Sequence, residues 1–184
     1  MRIISGTHKG RKINPPKKLP VRPTTDMAKE SLFNILNNYY YFDAISVLDL
    51  FAGTGNISFE FASRGTTKIT AVDAHFACIR FINETAEGFG MPIQTIKSDV
   101  YKYLANATQK HTVIFTDPPY EFTNDEFAKI PELVFNNNLL ETDGLLIIEH
   151  SKHTDLSKLE HYAYSKNYGG CVFSFFERES DESE

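Results

Sequence analysis

The chain has 184 residues, 41% hydrophobic and 23% charged, with two cysteines and a net charge of −5. That length and balance suit one globular domain with a sizeable core. They leave no apolar run near the ~20 residues needed to span a bilayer and too few cysteines for a disulfide framework.

The charge is unevenly spread. Eight Lys and Arg against Asp26 and Glu30 give residues 1–30 a charge of +6, residues 177–184 carry −4, and residues 31–176 carry −7. A basic arm on an acidic body engages phosphate locally; the plainer alternative is a solvated N-terminus. The start, Met1-Arg2-Ile3-Ile4-Ser5-Gly6, lacks the apolar core of a signal peptide. A soluble cytoplasmic protein with Cys78 and Cys171 reduced is therefore expected.

Residues 1–23 are broken by Gly6, Gly10 and four prolines, so they predict at most a short hairpin pairing residues 2–4 with 10–13. Thr24 or Thr25 caps a helix to about Asn38, with Ala28, Leu32, Ile35 and Leu36 on its apolar face. The aromatic run Tyr39-Tyr40-Tyr41-Phe42 is ordinarily packing, and a base-stacking platform is the alternative. Residues 46–51 form a strand that runs through Ala52-Gly53-Thr54-Gly55 into a helix over 56–63. A strand over 68–72 ends at Asp73, and a helix over 76–87 stops at Gly88 and Gly90. A strand over 92–97 ends at Ser98-Asp99, and a short helix covers 100–107. The run Thr112-Val113-Ile114-Phe115-Thr116 is a buried strand that must stop at Asp117, because Pro119 has no N–H and Pro118 holds Asp117 out of the helical region. A helix broken or started by Pro131 lies between 125 and 140, and a fifth strand covers 144–149. Strands and helices that alternate from 46 to 150 predict a mostly parallel, doubly wound α/β sheet. Residues 161–164 and 171–176, around Tyr168-Gly169-Gly170, add an antiparallel pair, and an acidic tail follows.

The chemistry gathers at strand ends, where ligands bind in open α/β sheets. In Asp49-x-Phe51-x-Gly53-x-Gly55 the glycines let the backbone approach a ligand while helix N–H groups point at its polar end. A dinucleotide site would place a third glycine where this chain has Ser58. Asp49 instead suits a ligand with a cationic amino-acid end, such as S-adenosylmethionine. Asp73 can accept from ribose hydroxyls, and Asp99, followed by Val100, from an adenine amine; a helix N-cap is the alternative for each. Asp117-Pro118-Pro119-Tyr120 supplies the other half. An exocyclic base amine is a poor nucleophile because its lone pair is delocalised into the ring. Asp117 and the Pro118 carbonyl can accept its two N–H bonds, and Tyr120 can stack on the base. Glu149 ends the fifth strand on the same edge, where it can help shape the substrate pocket. The six histidines show no ligand spacing with the cysteines, so no metal is expected, and His150 and His153 are expected on the surface beside a loop.

Together these motifs resemble the S-adenosylmethionine-dependent amino-methyltransferases. Arg2-Ile3-Ile4-Ser5-Gly6, Lys9-Gly10-Arg11-Lys12, Arg22-Pro23-Thr24-Thr25-Asp26 and Ser31-Leu32-Phe33-Asn34-Ile35-Leu36 are similar to the RsmD family, which modifies guanine N2 in 16S ribosomal RNA. The resemblance implies a Rossmann-like methyltransferase fold over 24–177, a basic N-terminal arm over 1–23 and an acidic tail over 178–184. It implies cofactor contacts from Asp49, Phe51, Gly53, Gly55, Asp73, Asp99 and Val100. Asp117, Pro118, Pro119 and Tyr120 would act on a base of ribosomal RNA or of the small ribosomal subunit, with RNA contacts from Lys9, Arg11, Lys12, Arg22 and Thr24. Met27-Ala28-Lys29-Glu30 departs from the family's Arg-Val-Arg-Glu. Adenine-N6 transfer to DNA or another RNA, and a non-catalytic nucleotide- or RNA-binding module, are the alternatives. The DNA enzymes usually carry a target-recognition region, and only 34 residues follow His150.

Overall fold

The structure is a computed structural model that describes residues 1–22 and 24–180. Seven strands form one sheet: β1 (Ser46–Leu50), β2 (Lys68–Asp73), β3 (Ile93–Lys97), β4 (His111–Thr116), β5 (Leu140–Ser151), β6 (Tyr162–Tyr168) and β7 (Cys171–Phe176). Their order is β3-β2-β1-β4-β5-β7-β6. The first five are parallel, and β7 lies antiparallel between β5 and β6. Among the described residues there are five α-helices, the first before β1 and the other four between successive strands: α1 (Asp26–Asn37), α2 (Asn56–Ser63), α3 (Phe76–Phe89), α4 (Val100–Asn106) and α5 (Asn124–Asn136). This is the doubly wound, Rossmann-like architecture with an antiparallel edge.

Strict period-2 burial explains the layers. Val47, Val113, Phe115, Leu145 and Ile147 face α1 and α2, while Leu48, Leu50, Ile114, Leu146 and Ile148 face α4 and α5. Successive strand residues point to opposite faces, so the continuous apolar runs of β4 and β5 supply both cores at once. Asp49, Asp117 and Glu149 carry on the first of these series past the hydrophobic residues, so all three carboxylates fall on the α1–α2 side.

Local signals set the boundaries. The Thr25 hydroxyl caps α1 at the Ala28 N–H, and Thr123 and Glu126 form a reciprocal capping box on α5, which runs through Pro131. Gly90, at φ +66°, ends α3, and Gly88 lies inside that helix rather than stopping it. Strand β5 starts before Gly144. The chain bulges between the pairs His111–Leu140 and Val113–Leu145, and a Cβ on Gly144 would stand 2.9 Å from the Thr112 and Glu141 carbonyl oxygens. At its other end β5 reaches Ser151, because β7 pairs with it that far. His150 is therefore inside, 2% exposed and bonded to Ser174 Oγ at 2.7 Å, which corrects its expected surface position. Burial holds its pKa below the usual imidazole range.

The N-terminal residues are fastened to the domain. Arg2 and Lys12 form an antiparallel bridge. Ile3 and Ile13 are buried against Phe59 of α2 and Ile82 and Ala86 of α3. The Ile4 N–H donates to Glu60 (2.9 Å) and the Thr7 N–H to the Ser63 carbonyl (2.8 Å). Lys29, 1% exposed, donates to the Arg2 carbonyl and to Asn56 Oδ1 (2.8 Å). It is thus an internal tie between the hairpin, α1 and α2, while Met27 is 61% exposed. Residues 181–184 of the expected acidic tail lie outside the described residues. Arg178 donates to the Leu140 carbonyl at 2.9 Å.

Candidate active site

A cavity of about 470 Å³ opens at the carboxyl edge of β1, β2 and β4, where the strand order reverses between β1 and β4 and open α/β sheets bind ligands. Of the residues singled out in the sequence, Asp49, Phe51, Gly53, Asp73, Asp99 and Val100 line one part of it. Asp117, Pro118, Pro119 and Tyr120 line another, with Arg22 and Thr24 beside them. Gly55 lies outside the wall, at φ +78° as N-cap of α2, where a Cβ would meet Ile82 and Phe59 at 2.9 Å. Lys9, Arg11 and Lys12 lie away from the cavity, exposed on the N-terminal hairpin, and Arg11 stands 4.8 Å from the Phe89 ring at the end of α3.

The β1–α2 loop makes the floor. Phe51 takes a left-handed φ of +53°, uncommon for a bulky side chain and costing roughly 1–3 kcal/mol. Its ring packs edge-on against Phe122 at 5.7 Å. Gly53 at φ +57° approaches Val21 so closely that a Cβ would stand 3.0 Å from it. The Gly53 N–H donates to Asp73 Oδ2 and the His75 N–H to Asp73 Oδ1, both at 2.9 Å. Each carboxylate oxygen has a further lone pair, so Asp73 braces the loop and retains acceptor capacity. Asp99 caps α4 through the Lys102 N–H (3.0 Å) while exposed at the cavity.

Asp49 is 2% exposed and accepts a 2.6 Å bond from the Ser58 hydroxyl. Ser58 was read from sequence only as a missing glycine; its partner lies on the neighbouring strand, and no local pattern announces it. Burial pushes the Asp49 carboxyl up to about 7, with Ser58 holding it down.

At the other end of the cavity, Asp117 and Glu149 leave adjacent strands β4 and β5. Burial raises both carboxyls above their usual range; for Asp117 the Glu149 charge adds to that, and Arg22 opposes it in both. Glu149 is 1% exposed and accepts from Thr24 Oγ1 (2.9 Å) and Cys171 Sγ (3.2 Å). Arg22 sits over Tyr120, its guanidinium carbon 3.2 Å from the ring centroid. One of its terminal nitrogens stands 3.8 Å from Asp117 Oδ1 and 3.7 Å from Glu149 Oε1. Pro20, Val21, Arg22 and Thr24, which precede α1, thus form part of the cavity wall, with Arg22 set over Tyr120 and near both carboxylates. No cluster of His, Cys, Asp and Glu suited to a metal occurs among the described residues, and no described helix is long and apolar enough to cross a membrane.

The family described as “Conserved hypothetical protein 95” matches residues 1–177. The Haemophilus influenzae protein named “Ribosomal RNA small subunit methyltransferase D” is 31% identical over 180 residues, covering 95% of this chain and 91% of that protein. The solved Escherichia coli structure “Putative methyltransferase yhhF” superposes with a TM-score of 0.85 at 26% identity, covering 98% and 99% of the two chains. A Thermus thermophilus 16S rRNA N2 G1207 methyltransferase, solved with AdoMet and guanosine, shares the fold with a TM-score of 0.69 at 18% identity over 88% of this chain and 45% of that one. With a carboxylate-rich crevice at the switch point and this match over nearly its whole length, the chain belongs to the RsmD family of methyltransferases.

Proposed function

We propose that the protein transfers a methyl group from S-adenosylmethionine to the exocyclic N2 amine of a guanine in small-subunit (16S) ribosomal RNA. The observation that carries this is the meeting of the Asp117–Tyr120 turn and the Gly53 loop in one cavity, so that an amine acceptor and a methyl-donor site share a wall. The volume suits a ligand of drug size with a base beside it.

The residues present fit the donor. Gly53 has no side chain to block the loop, Asp73 and Asp99 offer acceptors for ribose and adenine, and Asp49 supplies buried negative charge for an ammonium group. When bound, S-adenosylmethionine supplies a methyl group made electrophilic by its sulfonium. Asp117 and the Pro118 carbonyl accept the two N–H bonds of the base amine and orient its lone pair. Fixed acceptors in a half-dry site favour the charge that develops on nitrogen without reorganising at the moment of reaction. The amine loses one proton as its new N–C bond forms; the Asp117 carboxylate, raised by burial, is the acceptor at hand. Tyr120 stacks on the base, and holding amine and methyl in line accounts for much of the acceleration. Phosphate contact falls to the exposed Lys9, Arg11 and Lys12, which position RNA without reading its sequence.

The test is transfer of labelled methyl to small ribosomal subunits, free ribosomal RNA and DNA in parallel, followed by nucleoside analysis. N2-methylguanosine from the ribosomal substrates is expected. N6-methyladenine in DNA would move the reading to a DNA enzyme, and absence of transfer to all three would support a non-catalytic binding module.

A further inference from the structure

Arg22 occupies the place that the functional reading gives to the base. Its guanidinium is planar, sits over the Tyr120 ring, and points one nitrogen between Asp117 Oδ1 and Glu149 Oε1. A guanidinium is a flat array of N–H donors with no acceptor. A pocket that holds one in this way, over an aromatic ring and within 4 Å of two carboxylates, is complementary to a planar group carrying adjacent N–H donors. Among the four RNA bases only guanine presents such an edge, its N1–H beside the N2 amine. Adenine and cytosine each place a bare ring nitrogen beside the amine, and uracil sets its single N–H between two carbonyls.

Glu149 is the carboxylate that the methyl-transfer mechanism leaves unused. It is not part of the cavity wall; Arg22, which is, stands against it. Thr24 donates to one oxygen of the carboxylate and Cys171 to the other, so the acceptor direction is set by neighbours on the pre-α1 segment and on β7. Adjacent pairing of β4 and β5 keeps it beside Asp117 on the same face of the sheet.

We infer that Glu149 is the specificity-determining residue of this site: once Arg22 moves aside, it accepts the N1–H of guanine while Asp117 takes the N2 amine, and Arg22 holds that place in the free enzyme. The inference rests on the guanine-N2 reading above and deepens it. A base with a bare nitrogen at position 1 would bring a lone pair against the Glu149 carboxylate and leave a buried acceptor without a donor, which is the way polar sites reject near-isosteres.

The experiment titrates the full-length protein, saturated with S-adenosylhomocysteine, with three nucleosides followed by ligand-observed NMR. Guanosine carries both donors. 1-Methylguanosine keeps the N2 amine and lacks N1–H, and 2-aminopurine riboside keeps the amine beside a bare N1. Guanosine is expected to bind about tenfold or more tightly than either. In Glu149→Gln the amide turns an N–H toward a bare N1, so the preference for guanosine over 2-aminopurine riboside falls by about tenfold, with a thermal melt as the check on folding. Equal binding of guanosine and 1-methylguanosine to the wild type overturns the inference without reference to any variant. An unchanged preference in folded Glu149→Gln overturns it as well. If either occurs while labelled methyl still reaches guanine N2, only the role of Glu149 falls; if no methyl reaches guanine N2, the functional reading falls with it.

Discussion

Removing the Ser58 hydroxyl is the sharpest probe of how the cofactor end of the cavity works. Ser58→Ala deletes the 2.6 Å bond to Asp49 in a place where both side chains are buried. Hydrogen bonds to charged groups are worth about 1.5–3 kcal/mol, and the lower figure corresponds to about one pKa unit. Asp49 therefore moves from about 7 to about 8. If only the ionised carboxylate holds the ammonium of S-adenosylmethionine, affinity follows the ionised fraction. In the wild type that fraction climbs about eightfold from pH 6 to 7.5. The variant should bind about threefold more weakly at pH 7.5 and about ninefold more weakly at pH 6. The ligand's own α-amino group, with a pKa of about 7.7–8.0, is partly deprotonated at pH 7.5; this trims the wild-type rise in affinity to roughly sixfold and cancels from the comparison with the variant. Calorimetry measures these affinities, and methylthioadenosine, which lacks the amino-acid end, should bind without pH dependence. Flat binding of S-adenosylmethionine between pH 6 and 7.5 would refute the assignment. Stability carries the opposite signature. The native state keeps the Asp49 proton to about pH 7, whereas an unperturbed aspartyl carboxyl loses it near pH 3.8. This group thus makes the fold less stable as pH rises from about 4 to 7.

Other expectations concern separate parts of the molecule. Asp117→Asn should lower kcat by roughly a hundredfold or more while calorimetry finds cofactor affinity unchanged; a large loss of cofactor binding would argue against its role at the amine. Arg22→Ala should tighten guanosine binding by up to roughly tenfold, because a half-exposed guanidinium no longer has to leave the Tyr120 ring and two long contacts to carboxylates. Weaker binding would mean that Arg22 grips the base instead of holding its place. Gly6→Ala puts a Cβ 1.8 Å from the Ser63 carbonyl oxygen, whereas Gly10→Ala meets nothing within 4 Å. The first should lower Tm by roughly 5 °C or more and the second by clearly less, although both sit at positive φ; equal melts would refute docking at Ser63. Neutralising Lys9, Arg11 and Lys12 should reduce the salt slope of RNA binding by about 2, and an unchanged slope would remove them from the interface.

Elements bounded by local chemistry were legible in the sequence. The limits of α2 and β2 follow from Gly55, Gly65 and Asp73, and β4 stops where Pro118 and Pro119 require. The carboxylates at strand ends were legible for the same reason, since parallel strands bring their carboxyl ends to one edge. What escaped depended on distant partners. His150 looked like a loop residue because nothing within ten positions reveals that β7 pairs alongside it. Lys29 stands out in the sequence only as a departure from the family's motif, and its partners Arg2 and Asn56 lie 27 residues away on either side. Glu149 could be placed at the edge as a residue that shapes the substrate pocket, but its partners could not be named, because Thr24, Arg22 and Cys171 converge on it only after folding.

The hydrogen bond between Thr24 and Glu149 spans 125 residues, and it has a consequence for the order of synthesis. Chains emerge N-terminus first and fold as they lengthen, so the segment before α1 is among the first parts made and among the last to find its partners. Until β5 has left the ribosome there is no carboxylate for Thr24 to hold and none for Arg22 to share with Asp117. A nascent chain that stops short of residue 149 has the glycine loop and the Asp117 turn but no fastening for that segment. An early segment and a late strand thus close this end of the crevice together.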